Sequence, residues 1–531
     1  MTELLPLRSS FATGSRVELE VRGDRAPGEL TVWHLGDLVA RRDYDGAELI
    51  DLGELPAGGY GIELAQGTTL TRTAVEVGDG SRMRYGFVVD YAPDRDVSGV
   101  ADLARRLHLT DIQFYDWAYR HAALLGGGEE YRDALDQPVA LSTVRRLVAA
   151  LRAVGTRSLG YAAVYAAGPA EWADWEHRAL LTASGAPYSL GDFLFIVDPA
   201  ADDWLANFGG DLSAALEQIG FDGFHLDQYG YPKRAVRPDG VVVDVAESFV
   251  TLLAALRDRL PDARLVFNNV NDFPTWRTAR SPQDAVYIEP WAPTLTLGGL
   301  AEVVTRARSV ADGKPVVMAA YQHVYDSAPA RESDLATAFT MAALHSHGAT
   351  QLLAGEADRI LVDPYYVRNH VVEPSTADLL RRWYDFLVEH DELLLDPSIV
   401  DVTASVAGPY NDDCDVTYPS TAVTEAPAPG AVWRRITESA GRTVLHLINL
   451  VGQDDTVWDA PRQQPGDTGV GTLRIRRLGE AVPRVRVGDP DAGGRLVDIA
   501  VTLDGDYATA QLPPVGVWQL VLVEPRGKDL T

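Results

Sequence analysis

The sequence predicts a multidomain protein with a central (β/α)8 barrel, the TIM-barrel architecture, flanked by N-terminal and C-terminal antiparallel β-sandwich domains. Three observations predict this fold. The chain has 531 residues, more than a single hydrophobic core usually organises. Its middle part alternates strand-like apolar runs with helix-length segments, which indicates a parallel sheet. Both ends carry short alternating runs separated by turn residues, which are typical of antiparallel sandwiches.

Residues 1–82 are predicted to form an immunoglobulin-like β-sandwich. The alternating runs VELEV, LTVWHL, GIELA and TAVEV follow one another here, and turn clusters such as PAGGYG and GDGS separate them. Alternation with a period of two turns one face of each strand towards a core and the other towards solvent. We therefore expect about six or seven short strands in this domain.

Residues 83–395 are predicted to form the barrel. Segments with helical spacing, such as ALSTVRRLVAALRAVG and ESFVTLLAALRDRL, separate eight apolar runs of strand length, the number that closes such a barrel. The connection between the third and fourth runs is unusually long, and we expect a helix and a loop over the barrel mouth there. The predicted strands are 86–90, 111–117, 158–165, 221–227, 264–269, 285–291, 315–322 and 349–356.

Residues 396–531 are predicted to form the C-terminal β-sandwich. After Leu395 the helical spacing stops, and alternating runs such as TVLHLINL, GTLRIRRL and VWQLVLVE return. Turns rich in Gly, Pro and Asp separate these runs, as in antiparallel sheets.

The composition argues against several classes of partner and cofactor. The formal net charge is -29, with 47 basic and 76 acidic residues, so we expect neither nucleic acid nor a membrane as a partner. Cys414 is the only cysteine, which excludes an intrachain disulfide and a thiolate metal cage. The His345 to His347 pair lacks a third ligand nearby, so we predict no metal site and no cofactor for the chemistry, while a structural calcium ion in the Asp- and Asn-rich loops stays open.

The N-terminal residues show no basic start and no apolar run of the kind that begins a signal peptide. We therefore expect a cytoplasmic protein, or a secreted one if a leader has been removed. The sequence does not predict an oligomeric state.

Two acidic residues at the ends of predicted barrel strands are candidates for catalysis. Asp227 ends FDGFHLD on the fourth strand, and Glu289 ends AVYIE on the sixth, beside Pro290 and Trp291. Strand ends of this kind meet at the active-site face of a TIM barrel. Cleavage of a glycosidic bond requires one ionised and one protonated carboxyl group. Because an apolar setting raises the pKa of a carboxyl group, the position of Glu289 suits a proton donor, and that of Asp227 suits a nucleophile.

The other strand ends carry carboxylate, amide, hydroxyl and aromatic groups, with no Lys or Arg. This set favours a neutral polyhydroxyl substrate over a phosphate. Each of these residues has an alternative structural role in tying loops together, and Glu356 is also a rival candidate for the acid. The residues predicted to contact the substrate are Asp90, Gln113, Asp116, Trp117, His121, Tyr165, His225, Gln228, Asn269, Trp291, Tyr321 and Glu356.

Four blocks of the predicted barrel resemble glycoside hydrolase family 66, which contains dextranases and cycloisomaltooligosaccharide glucanotransferases. The blocks are QFYDWAYRH (113–121), FDGFHLDQYG (221–230), FNNVN (267–271) and YIEPW (287–291). In that family the Asp that ends the fourth-strand block is the nucleophile, and the Glu of the sixth-strand block is the acid/base. These positions match Asp227 and Glu289. The resemblance implies an α-1,6-linked glucan as substrate, cleaved by double displacement with retention of the anomeric configuration.

Two features narrow what the resemblance implies. The family's dextranases are usually secreted, and no leader is visible here. We therefore expect an imported isomalto-oligosaccharide, linear or cyclic, as the substrate. If the protein is secreted, dextran is the alternative. The glucanotransferases carry a carbohydrate-binding insertion after the seventh strand, whereas residues 322–349 leave room for one helix. We therefore predict a hydrolase, with a cyclising transglycosylase or a non-catalytic carbohydrate-binding protein as the alternatives.

Overall fold

The computed structural model of the protein describes residues 2–477 and 481–525. Within these residues, eight strands form a parallel sheet in which each strand pairs with the ones before and after it in the chain. This order is that of a barrel wall. The strands are Tyr85–Val88, Asp111–Phe114, Arg157–Ala163, Gly223–Asp227, Arg264–Val270, Ala285–Glu289, Val316–Met318 and Ala349–Gln351.

The two ends of this sheet meet through the chain that follows the eighth strand. Gly355 of the short strand Ala354–Gly355 pairs in parallel with Phe87 of the first strand. The sheet therefore curls back on itself, as in a TIM-like barrel. The sequence predicts one continuous eighth strand, but the structure divides it, because Ala349–Gln351 pairs with the seventh strand and Ala354–Gly355 with the first. Two antiparallel strands, Arg359–Ile360 and His370–Val371, extend the sheet beyond this point.

Helices follow most of the barrel strands. The connection between the fifth and sixth strands is an exception, because it holds only the one-turn helix Thr275–Thr278. No helix in the described part of the chain is long and apolar enough to cross a membrane. The longer helices are Ser98–Arg106, Leu141–Ala153, Asp202–Ile219, Val245–Arg259, Leu297–Val310, Ala330–Ser346 and Pro374–Glu389. The shorter ones are Trp172–Trp175, Glu176–Arg178, Val324–Ser327, Asp391–Leu394 and Thr403–Val406.

The barrel strands are buried on both faces, which is why they read as continuous apolar runs. Alternation along each strand still assigns every side chain to one face. In the fourth strand, His225 and Asp227 line the cavity at the carboxyl ends of the strands, whereas Phe224 and Leu226, which alternate with them, are buried outside it. The polar ends of otherwise apolar strands therefore position the candidate site.

The connection between the third and fourth strands contains the expected helix, Asp202–Ile219, and a small antiparallel sheet before it. The sheet consists of Ala166–Ala167, Ser189–Leu190 and Leu194–Ile196. Leu190 and Leu194 of this sheet reach the cavity at the barrel mouth.

The N-terminal part contains two sheets that share one cluster of buried apolar residues, including Leu19, Val32 and Ile62. The predicted sandwich with its boundary at residue 82 stays a prediction. One sheet consists of Glu3–Pro6, Arg16–Arg22 and Leu49–Glu54. The other consists of Phe11–Ala12, Thr69–Gly78, Gly58–Gln66, Gly28–His34 and Asp37–Tyr44.

The C-terminal part likewise contains two sheets around a shared cluster of buried residues, including Val432, Leu473 and Val521. The predicted sandwich over residues 396–531 stays a prediction. The larger sheet contains Val400–Asp401, Ala422–Thr424, Ala431–Ser439, Arg442–Asn449, Trp518–Glu524, Arg484–Gly488 and Val497–Ile499. The smaller sheet contains Cys414–Thr417, Gly471–Arg476, Tyr507–Leu512 and Val501–Asp504.

Candidate active site

A pocket that is open to solvent lies at the carboxyl ends of the barrel strands. Its wall combines aromatic rings, amides and carboxyl groups, and no Lys or Arg among the described residues lines it. The lining residues are Gln113, Tyr115, Asp116, His121, Leu135, Tyr161, Leu190, Phe193, Leu194, His225, Asp227, Gln228, Tyr229, Asn268, Val270, Tyr287, Glu289, Trp291, Tyr321, Pro364, Tyr365 and Tyr366.

Asp227 is the last residue of the fourth strand, and both of its carboxyl oxygens accept hydrogen bonds. The hydroxyl of Tyr161 donates to Oδ2 over 2.8 Å, and Nδ2 of Asn268 donates to Oδ1 over 2.7 Å. Burial raises the pKa of Asp227 to about 6, and these two hydrogen bonds act in the opposite direction. Asp227 therefore ionises at a pH near neutrality with both oxygens held in place.

Glu289 is the last residue of the sixth strand and is 8% exposed. The indole Nε1 of Trp291 donates to Oε1 over 2.9 Å, and Nδ2 of Asn268 donates to Oε2 over 2.8 Å. Burial, together with the negative charge of Asp227, raises the pKa of Glu289 to about 8. Glu289 therefore keeps its proton at a pH at which Asp227 has lost its own.

One amide nitrogen of Asn268 contacts both carboxyl groups, which limits how far apart they are. Because Nδ2 lies 2.7 Å from Asp227 and 2.8 Å from Glu289, the two contacted oxygens are separated by no more than the sum of these distances. That limit is about 5.5 Å, the upper end of the separation found in retaining glycosidases. The geometry is suited to attack by one carboxylate while the other group donates a proton.

A stack of aromatic rings holds Tyr161, the residue whose hydroxyl donates a hydrogen bond to Asp227. The ring of His225 stacks between Tyr85 and Tyr161, with centroids 5.9 and 6.1 Å away, and packs edge-on against Tyr287. Its Nδ1 lies 3.1 Å from the hydroxyl of Tyr85. Burial lowers the pKa of His225 to about 3, so the ring is neutral. A neutral, fully packed histidine fixes the position of Tyr161 rather than adding charge to the site.

Seven of the twelve residues predicted to contact the substrate line this pocket. Asp116 is the third carboxyl group there, and burial together with the charges of Asp133 and Asp227 raises its pKa well above the usual range. The seven residues are Gln113, Asp116, His121, His225, Gln228, Trp291 and Tyr321.

Three of the other predicted residues are buried in the barrel wall, outside the pocket lining. The indole Nε1 of Trp117 donates to the carbonyl of Tyr161 over 3.1 Å. The hydroxyl of Tyr165 donates to the carbonyl of Tyr231 over 2.7 Å. Nδ2 of Asn269 donates to a backbone carbonyl of the sixth strand over 2.9 Å. These contacts hold the wall together, and the structure does not bring these three side chains into the pocket.

Asp90 and Glu356 also lie outside the pocket, in a separate groove at the ends of the first and eighth strands. Glu356 forms an ion pair with Arg95 and accepts hydrogen bonds from the backbone N–H groups of Val89 and Asp90. These contacts engage the carboxylate in an ion pair and two backbone hydrogen bonds, away from the pocket that contains Asp227 and Glu289. The structure therefore does not support Glu356 as the rival acid.

Sequence reasoning missed several pocket residues, among them Tyr161 and Asn268, which contact the carboxyl pair directly. Asn268 precedes the predicted Asn269, and the two point to opposite faces of one strand that is buried on both sides. Nothing in the sequence indicates which of the two faces the pocket. Tyr365 and Tyr366 come from the loop after the eighth strand, where no strand pattern marks them.

Residues 2–477 and 481–525 contain no group of three or more His, Cys, Asp or Glu side chains that could hold a metal ion. The bond-cleaving chemistry that the carboxyl pair can perform requires none.

A solved structure shares this architecture over almost all of the chain. The crystal structure of a Paenibacillus sp. cycloisomaltooligosaccharide glucanotransferase complexed with cycloisomaltoheptaose superposes with a TM-score of 0.87 at 17% identity. The match covers 98% of this chain and 99% of that one. At this identity the likeness shows the fold alone.

Sequence relatives and a family model identify the chain more directly. A cycloisomaltooligosaccharide glucanotransferase from Niallia circulans is 23% identical over 351 residues, 60% of this chain and 36% of that protein. A dextranase from Streptococcus salivarius is 28% identical over 113 residues, 20% of this chain and 14% of that protein. This chain thus spans only about a third of the length of the first relative. The model of glycosyl hydrolase family 66 matches residues 56–522, most of the chain, and on this basis the chain belongs to that family, as its four sequence blocks predicted.

Proposed function

We propose that the protein is a retaining glycoside hydrolase that cleaves α-1,6-glucosidic linkages, with Asp227 as nucleophile and Glu289 as general acid/base. The observation that carries the proposal is the contact of both carboxyl groups with one amide nitrogen of Asn268. This shared contact keeps the two carboxyl groups within the separation that direct attack on the anomeric carbon requires. Inverting enzymes have a wider separation, because a water molecule must fit between the substrate and the base.

The order of ionisation supports the same assignment. With the pKa of Asp227 at about 6 and that of Glu289 at about 8, the pair holds one proton near neutral pH, on Glu289. The Asp227 carboxylate attacks the anomeric carbon while Glu289 gives its proton to the departing glycosidic oxygen, which leaves a glycosyl ester on Asp227. Glu289, now ionised, takes a proton from water, and this water cleaves the ester and restores both groups.

The lining of the pocket supports a neutral sugar as the substrate. Tyr115 and Tyr366 stack with centroids 4.2 Å apart, and Trp291 lies beside Tyr321 at 6.1 Å, so flat aromatic faces border the carboxyl pair. Amide and carboxyl groups such as Gln113 and Asp116 offer partners for hydroxyl groups. Pockets that combine apolar faces with a few directed polar groups bind small organic ligands of this kind. Family membership and the names of the relatives support an α-1,6-glucan, either an isomalto-oligosaccharide or dextran.

A cyclising transglycosylase is the second candidate, and the names of the relatives favour it. The connection after the seventh strand contains the short helix Val324–Ser327 and the 17-residue helix Ala330–Ser346, without an additional domain. This short connection is the basis for proposing hydrolysis. The chain nevertheless covers 99% of the glucanotransferase structure, so chain length does not separate the two reactions.

The test is incubation with isomaltotetraose, dextran and a cyclic isomalto-oligosaccharide, followed by separation of the products by size. A hydrolase yields shorter linear products, and larger or cyclic products would instead favour transfer. Maltotetraose, which has α-1,4 linkages, is the matched control and should not be cleaved. Proton NMR in the first minutes should show the α-anomer of the new reducing end, and an initial β-anomer would contradict the retaining mechanism.

A further inference from the structure

We propose that Asn268 is a positioning residue whose single side-chain amide holds the nucleophile and the acid/base in a fixed relation, and so sets the pH range in which the pair works. This inference rests on the proposed function, because it assigns a task to a residue that touches both carboxyl groups. Neither the family resemblance nor the sequence pattern singles out Asn268.

The position of Asn268 in the barrel makes this contact possible. It lies in the fifth strand, Arg264–Val270, which pairs with the fourth strand on one side and the sixth on the other. The side chain of Gln228 donates to the carbonyls of Asn268 and Phe273 over 3.1 and 3.0 Å, which fixes the local backbone. Asn268 is 2% exposed. A side chain at the pocket face of this strand therefore reaches the carboxyl groups at the ends of both neighbours.

The hydrogen bonds of Asn268 go almost entirely to the pair. Nδ2 carries two hydrogens, one for Asp227 and one for Glu289. Its buried Oδ1 has no hydrogen-bond partner within residues 2–477 and 481–525. Among the described residues, the side chain of Asn268 therefore makes only two hydrogen bonds, and Nδ2 donates both of them to the carboxyl pair.

A neutral amide suits a pair that must hold one proton. A carboxamide neither gains nor loses a proton in the physiological range, so it remains a donor to both groups at every step of the reaction. Donation to a carboxylate favours its ionised form and opposes the effect of burial. A lysine at this position would favour ionisation of both Asp227 and Glu289, and an aspartate would add a further negative charge beside them. The other titratable groups that face the pair are Tyr115, Asp116, His121, Tyr161, His225, Tyr229, Tyr287, Tyr321, Tyr365 and Tyr366.

Asn269 provides a matched control. It is the same residue type at the next position, is fully buried, and points to the opposite face of the strand. Its Nδ2 donates to the carbonyls of Phe267 and Tyr287, and its Oδ1 accepts from Thr278 over 2.5 Å. Replacing Asn269 removes comparable hydrogen bonds without touching a carboxyl group.

The first experiment measures the pH dependence of kcat/KM on isomaltotetraose for the wild type, Asn268→Leu, Asn268→Ala and Asn269→Ala. The leucine variant keeps the volume and loses the donor, and the alanine variant covers the case in which leucine does not fold. We expect the Asn268 variants to move both limbs of the profile to higher pH by about one unit, since a hydrogen bond to a charged group shifts a pKa by about this amount. We expect Asn269→Ala to lower the melting temperature and leave both limbs in place. Unshifted limbs in both Asn268 variants would overturn the proposal, and so would an equal shift in Asn269→Ala.

A second readout is independent of turnover. Trp291 donates to Glu289, so the fluorescence of Trp291 should report the loss of the Glu289 proton. The difference between the wild type and Trp291→Phe isolates this signal, and the same difference in the Asn268→Leu background should show its transition about one pH unit higher. If α-1,6 substrates are not cleaved but the transition moves, the proposed function fails and the positioning role stands. If they are cleaved and the transition does not move, the positioning role fails.

Discussion

Trp291 donates a hydrogen bond from its indole Nε1 to Oε1 of Glu289, two residues earlier in the chain, over 2.9 Å. This bond favours the ionised carboxylate, as does the one from Asn268 to the other oxygen. Burial and the nearby charge of Asp227 outweigh both and raise the pKa of Glu289 to about 8. The site thus holds an acid that is oriented by two donors and still protonated at neutral pH.

A bell-shaped pH profile follows from this arrangement. We expect kcat/KM to rise with pH as Asp227 ionises at about 6 and to fall as Glu289 loses its proton at about 8. Because the two groups interact, the observed values belong to the pair. Initial rates on isomaltotetraose between about pH 4 and about pH 10 test this, with folding checked by circular dichroism at each pH. Activity that keeps rising above the upper value would contradict Glu289 as the acid.

Replacement of either carboxyl residue tests the assignment directly. Asp227→Ala and Glu289→Ala should each lower kcat by at least about 10³-fold, because nucleophile and proton donor act only in the reaction itself. Glu289→Ala should lose much less on a substrate whose leaving group needs no proton, such as a nitrophenyl isomaltoside. The control is Asp90→Asn, an exposed strand-end residue outside the pocket, which should keep wild-type rates. Near-normal turnover in either alanine variant would rule out the mechanism.

The sequence predicts the barrel strands well because buried parallel strands are continuous apolar runs, and the fourth and sixth strands each end in a carboxyl residue that is costly to bury without use. Asp227 and Glu289 are visible for this reason. One exception in the fold is the break in the eighth strand, which depends on pairing with the distant first strand. Local pattern does not contain that information.

Contact residues are harder to predict because a strand buried on both faces does not reveal which side chains point inward. Asn268 and Asn269 are adjacent and chemically identical. Asn268 contacts both carboxyl groups, whereas Asn269 donates to a backbone carbonyl of the neighbouring strand. Glu356 ends a predicted strand just as Glu289 does, but Arg95, distant in sequence, pairs with it. Tertiary neighbours decide these roles, and strand periodicity alone does not specify them.

Tyr161→Phe should affect only the nucleophile. The hydroxyl of Tyr161 donates to Asp227 and not to Glu289, so its loss should raise the pKa of Asp227. We expect the acidic limb of the kcat/KM profile to move up by about one pH unit while the basic limb stays in place. The matched control is Tyr165→Phe, whose hydroxyl donates to the carbonyl of Tyr231, and its profile should keep the wild-type limbs. A shift of both limbs in Tyr161→Phe would show that the hydroxyl acts on the pair as a whole.

Glu356→Gln distinguishes a structural ion pair from a catalytic acid. The carboxylate binds Arg95 and two backbone N–H groups, and the side chains of the pair are 8% and 12% exposed. Removing one partner of a buried pair leaves the other charge uncompensated, so we expect a loss of about 2–4 kcal/mol in the free energy of unfolding. We expect kcat to change by less than about threefold, since the group lies outside the pocket. Urea denaturation and initial rates measure the two effects, and a large loss of kcat with unchanged stability would restore Glu356 as a candidate acid.

Glu289→Gln should make the protein more stable, and the gain should depend on pH. The unfolded chain releases the Glu289 proton near its ordinary pKa of 4.5, whereas the folded protein keeps it until about 8. The folded state therefore binds more protons between these values, and the free energy of unfolding falls as pH rises through this window. Glutamine is a neutral acceptor for Trp291 and does not titrate, so it removes this loss. We expect the gain over the wild type to be below about 1 kcal/mol near pH 5 and to reach about 4 kcal/mol at pH 8, as measured by urea denaturation at both values. A gain of the same size at both pH values would mean that packing, and not the raised pKa, is responsible.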